Sequence, residues 1–168
     1  SYNLDLNNDG TTDFVISHTT SSISGGLYCS GTKINNYLRV TPSGNNQVAD
    51  YTGTYATKMA LYTNIDASTL TWNNSASQLL ASYTWMCSAF INSSHIWHAA
   101  TGGQWYNAAD GCLGLKLISQ GHTYYGWLRM NMSAASNVTI KDYAYNIRSD
   151  QPILAGQSTT DYITVSTI

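Results

Sequence analysis

Apolar residues in this chain fall in short bursts that alternate with polar ones, and Gly, Asn, Ser or Pro stand between the bursts. A period of two places one face of a strand against a core. It predicts strands at Asp13–His18 (DFVISH), Tyr37–Thr41 (YLRVT), Lys58–Thr63 (KMALYT) and Leu113–Ser119 (LGLKLIS). Further strands are predicted at Tyr124–Asn131 (YYGWLRMN), Val138–Tyr145 (VTIKDYAY) and Tyr162–Thr167 (YITVST). Gln120-Gly121-His122 reads as the turn of a hairpin between two of them. Residues 76–91 (ASQLLASYTWMCSAFI) break the pattern. There Leu79, Leu80, Tyr83, Met86, Cys87 and Phe90 recur at three and four, which predicts one short helix. Strands of this length with turn residues between them point to an all-β chain, a single β-sandwich or jelly-roll domain.

Composition agrees. Ser, Thr and Asn number 20, 20 and 15 of 168 residues, so turn and strand formers outnumber helix formers. Charged residues are only 10%, all nine acidic residues are Asp, and the net charge is −2. That balance gives no electrostatic footprint for nucleic acid. No run of 18 apolar residues exists, so no spanning helix and no membrane insertion is expected. A low-charge surface rich in Tyr, Thr, Asn and Ser suits an extracellular, cell-surface protein.

The strongest local motif is Asp5-Leu6-Asn7-Asn8-Asp9-Gly10-Thr11-Thr12-Asp13. Oxygen ligands fall at positions one, three, five and nine, with Gly at six, and the carbonyl of Thr11 at seven. Calcium takes six to eight hard oxygens at about 2.3–2.6 Å, and alternate residues of a tight loop can turn them inward. Three carboxylates this close repel one another unless a cation lies between them. Position twelve is Ile16 rather than a bidentate Glu, and a strand-like run follows, so the expectation is a calcium loop on a β scaffold with a structural role. The alternative is an Asx-rich solvated turn.

Other chemistry is thinner. Cys29, Cys87 and Cys112 are too widely spaced for a zinc site; two of them are disulfide candidates, and all three could equally be buried thiols. The possible loops would each stabilise by roughly 3.5–4.5 kcal/mol, which does not select a pairing. His95 and His98 sit at i and i+3 without a visible third ligand, and Asn107–Gly111 reads as a turn or a second cation loop. Trp97, Trp105 and Tyr106 lie in a Gly/Asn-rich stretch and are the candidates for stacking on a sugar, against the alternative of core aromatics. No Glu, no G-x-S-x-G elbow, no H-E-x-x-H and no P-loop occurs, so no enzyme is expected.

Two stretches carry a family likeness. One is LDLNNDGTTDFVIS at the start. The other is GCLGLKLISQGHTYYGWLRMNMS…VTIKDYAYNIRSDQPILAGQ, with Gly114, Leu115, Lys116, Tyr125, Gly126, Trp127, Arg129, Asp142, Tyr143, Ala144, Tyr145, Ile153, Ala155 and Gly156 at the matching positions. In these the chain resembles a loosely defined family of bacterial secreted β-sandwich proteins, often exported with C-terminal sorting tails. The resemblance spans about sixty residues at the two ends and implies secretion and a β fold, but no ligand. After Gly156 this chain departs from it and runs into QSTTDYITVSTI.

The functional expectation is a calcium-stabilised, non-enzymatic surface module with a structural or adhesive role. It includes self-association as a homo-oligomer or filament, in which the end strand within residues 157–168 pairs with a neighbour's sheet edge. The alternative is a carbohydrate-binding module that takes a glycan on exposed Trp and Tyr.

Overall fold

A computed structural model describes the backbone of residues 1–26, 29–74, 77–91, 94–134, 137–158 and 163–167, and their side chains except those of 24–26, 29–32, 86–91, 94–97, 134 and 163–167. The described chain is all β. In order the strands are β1 (Tyr2–Leu4), β2 (Phe14–Gly26), β3 (Cys29–Pro42), β4 (Gln47–Asp50), β5 (Asn64–Ile65), β6 (Thr71–Asn73), β7 (Gln78–Ile91), β8 (Ser94–Gly102), β9 (Gly111–Ser119), β10 (His122–Ala134), β11 (Asn137–Asn146), β12 (Ile153–Leu154) and β13 (Ile163–Thr167). A five-stranded sheet runs β1-β2-β3-β7-β8 and a six-stranded sheet runs β13-β11-β10-β9-β4-β6, with β12 and β5 as a separate pair. All of these pairings are antiparallel.

Alternation explains how the two large sheets meet. Leu4, Phe14, Ile16, Leu38 and Val40 of the first sheet share one buried cluster with Leu113, Leu115, Leu117, Leu128 and Met130 of the second. This is a β-sandwich core.

The six-stranded sheet is also covered on its other face. Cys112, Tyr125, Trp127 and Ala144 point outward there and pack with Met59, Ile65, Ile153 and Ala155 in a second cluster. Burial on both faces explains why β9 reads LGLKLIS, apolar almost without interruption. Gly114 lies on the tighter face. A Cβ there would meet the Met59 methyl carbon and lie 3.1 Å from the Ala49 methyl, so any larger residue would displace the Met59 side chain. Of the residues that carry the family likeness, Tyr125, Trp127, Ala144, Ile153 and Ala155 pack in this second cluster. Arg129 and Asp142 face each other across β10 and β11 and pair through Nε and Oδ1 at 2.7 Å.

Two sequence expectations are corrected. The described part of 76–91 forms no helix; Gln78–Ile91 is strand β7, flanked by β3 and β8. The apparent helical spacing arises at a bulge. Leu38 opposes Ala81 while Arg39 opposes Leu79, so Leu80 is the extra residue, and both Leu80 and Ala81 are buried. Lys58–Thr63 is not a regular strand. Met59 makes one bridge, with its N–H and C=O bonded to Cys112 at 2.8 and 3.0 Å, and Tyr62 turns away at φ 66°. The other predicted strands and the hairpin at Gln120-Gly121 are present, the last strand over its described residues Ile163–Thr167. Strand β13 pairs with β11 of its own chain and is the last strand of its sheet.

Leu115 is fully buried between the sheets, and Leu154 is exposed at the β12 pair. Leu115→Ala is expected to cost about 2–5 kcal/mol and Leu154→Ala about 0.5 kcal/mol or less, read from urea midpoints at constant m. Equal losses would contradict this placement of the core.

Candidate functional site

The candidate metal loop, residues 5–13, joins β1 to β2. Its ends are fixed by the sheet, where Asp13 N–H donates to Leu4 C=O at 2.8 Å. Leu6, fully buried, pins its first turn to the core. The chain reverses through Asn8 (φ 57°) and Gly10 (φ 88°), and the latter is the conformation for which glycine is suited.

Backbone N–H groups gather around the acidic side chains. Asp5 accepts from Asp9 N–H at 3.1 Å and Gly10 N–H at 2.7 Å. Asn7 Oδ1 accepts from Asp9 N–H at 3.2 Å, and its amide donates to Asp9 Oδ2 at 2.9 Å. Asp9 Oδ1 accepts from Thr11 N–H at 2.8 Å. The Asn7 amide and the Thr11 N–H hold the Asp9 carboxyl below its ordinary value. Asp13 is different. It is 5% exposed, its Oδ2 accepts from Leu6 N–H at 2.8 Å, and burial pushes its carboxyl upward, with the charges of Asp9 and Asp5 adding to the shift.

Asn46 is a member of this site that the sequence did not indicate. It is buried, and its amide donates to Asp13 Oδ1 at 3.4 Å and to Asp13 C=O at 3.3 Å. Its Oδ1 accepts from Ile118 N–H at 2.8 Å. One side chain therefore ties the loop to β9 of the opposite sheet. In sequence it is one Asn among fifteen, after a Pro-Ser-Gly turn, and nothing local marks it.

The donor set Asp5, Asn7, Asp9, Thr11 carbonyl and Asp13 consists wholly of hard oxygens, which is the chemistry of calcium rather than of zinc. Among the described residues no three His, Cys, Asp or Glu side chains converge closely enough to hold a metal by themselves. A cation here needs the Asn7 and Thr11 oxygens as well. Each N–H bond occupies one lone pair of a carboxylate that offers about four, so the loop keeps acceptor capacity.

The remaining candidates separate. Trp105 is fully buried in the sandwich core, which removes it as a sugar platform. Its flat ring fills the space beside Gly111, where a Cβ would lie 3.0 Å from it. Tyr106 is partly buried and stacks on Tyr83 with centroids 6.2 Å apart. The side chains of Trp97, His95, Cys29 and Cys87 lie outside the described residues; His98 is exposed on β8. Cys112 is a free thiol in the second buried cluster, where burial pushes its pKa up to about 12. Asp110 in the Asn107–Gly111 turn pairs with Lys141 of β11 at 2.7 Å.

Other aspartates hold turns and strands. Asp50 accepts from Gly53 N–H and the Gln78 amide at 2.8 and 2.9 Å. Asp66 accepts from the N–H groups of Ser68 and Thr69, which lower its pKa to about 2. No protein-family model, curated protein or solved structure matches the chain.

Asn46→Leu strips the Asp13 carboxylate of its side-chain partner. A buried acceptor left unpaired costs about 1–3 kcal/mol. The expected readout is that loss in denaturant unfolding, with faster amide exchange at Leu6 and Ile118; wild-type exchange at both would contradict the tie between the sheets.

Proposed function

We propose that the protein is a secreted, non-enzymatic module of the cell surface, a β-sandwich braced by calcium at Asp5, Asn7, Asp9, Thr11 and Asp13, with a structural or adhesive role and self-assembly into filaments. The observation that carries self-assembly is the state of the sheet edges. Proteins that stay apart protect edge strands with Lys, Pro, bulges or inward charges. Strand β8 (SHIWHAATG) is nine residues long, lies at the edge of its sheet and contains no Lys, Arg, Asp, Glu or Pro. Strand β13 (ITVST) at the edge of the other sheet is equally uncharged. Joining β13 of one copy to β8 of the next is a heterologous contact, and such contacts build open filaments when the rotation does not close.

Burial along the first sheet supports the same reading. Strand β2 is exposed on both faces from His18 to Ile23. The neighbouring pair Ile34 and Trp85, on the core-facing side, remains 38% exposed. The β2–β3 hairpin therefore reaches past the cover of the second sheet and offers apolar surface to a neighbour.

Calcium serves as a brace in this reading. It would neutralise the repulsion around Asp13 and fix the strand that starts the first sheet. A site filled at a hundred times its Kd adds about 2.7 kcal/mol, worth about 5–10 °C in Tm for a chain of this size. Chelation is expected to lower Tm by that amount, with recovery on adding calcium but not magnesium. An unchanged Tm would overturn the calcium brace.

Assembly is tested by deleting Asp161–Ile168. The full chain is expected to form regular fibres in electron microscopy, and the shortened chain to remain folded and monomeric. Fibres from the deletion variant, or a full chain that stays monomeric at high concentration, would refute assembly through the end strand.

A further inference from the structure

Two hollows open at the end of the sandwich where the β9–β10 turn meets the segment after β11. One, of about 180 Å³, lies beside Asn7, Leu117 and Gln120. The other, of about 610 Å³, lies beside His122, Arg148 and Gln151. Both are lined by Tyr124 and Ile147, so the two hollows adjoin across these side chains as halves of a shallow groove.

The walls are built rather than loose. Gln120 and Gly121 form a two-residue turn with φ of 51° and 80°, the conformation that matches strand twist in a hairpin. The opposite wall is fastened at three points. Asp150 N–H donates to Thr123 C=O at 2.8 Å. The buried Asn146 accepts from Arg148 N–H at 3.0 Å and donates to Pro152 C=O at 2.9 Å, closing residues 147–151 into a fixed loop. A preformed groove avoids the ordering cost of binding.

The lining matches one ligand chemistry. Tyr124 and Tyr145 meet edge to face with centroids 6.3 Å apart and stay partly exposed, and Ile147 is 46% exposed beside them. Around this apolar strip stand groups that both donate and accept: the amides of Gln120 and Gln151 and the hydroxyls of Ser119 and Ser149. Arg148 is the one permanently charged side chain among the lining residues. A neutral sugar has apolar C–H faces for aromatic contact and hydroxyl edges that need both donors and acceptors.

We propose that this groove is a binding site for a neutral oligosaccharide, held on Tyr124 and Ile147 and oriented by Gln120 and Gln151. It gives the surface module a ligand independently of filament formation, and it lies away from Trp105, which is inside the core.

The test is affinity electrophoresis of the full chain through gels containing hydroxyethylcellulose, xyloglucan, galactomannan, soluble starch or, as an anionic comparison, dextran sulfate. Calorimetry with the hexasaccharide of the retarding polymer then gives Kd. Retardation by at least one neutral polymer is expected. Tyr124→Ala should weaken Kd about tenfold, the loss of one aromatic contact. Gln151→Ala, at an exposed position outside the core, should weaken it severalfold with Tm unchanged. Tyr62→Ala, which lines neither hollow, should leave Kd as it is. No retardation by any neutral polymer, retardation by dextran sulfate alone, or a Kd indifferent to both Tyr124→Ala and Gln151→Ala would overturn the proposal.

Discussion

The centre of the six-stranded sheet is buried on both sides, and the rest of the architecture follows from that constraint. Leu113, Leu115 and Leu117 face the five-stranded sheet while Cys112 and Gly114 face the outer layer. A strand so placed has no solvent side, so its register cannot slip by a residue without burying the wrong set of side chains. The outer layer is thin, a two-stranded pair with the Met59 and Ala155 segments, and a missing Cβ at Gly114 lets it approach.

The loop at residues 5–13 draws its geometry from that rigid centre. Leu4, Leu6 and Phe14 sink into the core on either side of the acidic residues. Asn46 connects Asp13 to Ile118 of β9, so the loop is tied to both sheets before any ion is considered. The neighbouring groove uses the turn end of the β9–β10 hairpin, with Gln120 at the turn and Tyr124 on β10. A stiff two-sided sheet thus presents both the acidic loop and the aromatic strip without relying on long loops.

Period-two alternation was legible where a strand has one wet face, as in β2 and β11. It was also legible in β9, because a run of apolar residues bounded by turn residues signals full burial. It failed at residues 78–91. The bulge at Leu80 doubles the inward residues, and the resulting three-and-four spacing imitates a helix. It failed again at Lys58–Thr63, where Met59 contributes to a core through a single bridge rather than a strand. The acidic loop could be read from sequence because its ligands are contiguous. Asn46 could not, since it joins the site from 33 residues away. Trp105 and Tyr124 illustrate the same limit for aromatics. Neither ring type nor neighbouring Gly and Asn distinguishes a core tryptophan from a groove tyrosine; that depends on which sheet face covers it.

The central claim is that hard oxygens gathered at the start of the chain hold a divalent ion that stiffens an exported scaffold. The most direct measurement is a crystal structure grown in millimolar calcium, with anomalous differences collected at long wavelength. The account predicts a peak within the loop, ringed by Asp5, Asn7, Asp9, the Thr11 carbonyl and Asp13 at about 2.3–2.6 Å. A loop that keeps its N–H bonds to Asp5 and Asp9, with only water between the carboxylates, would contradict it.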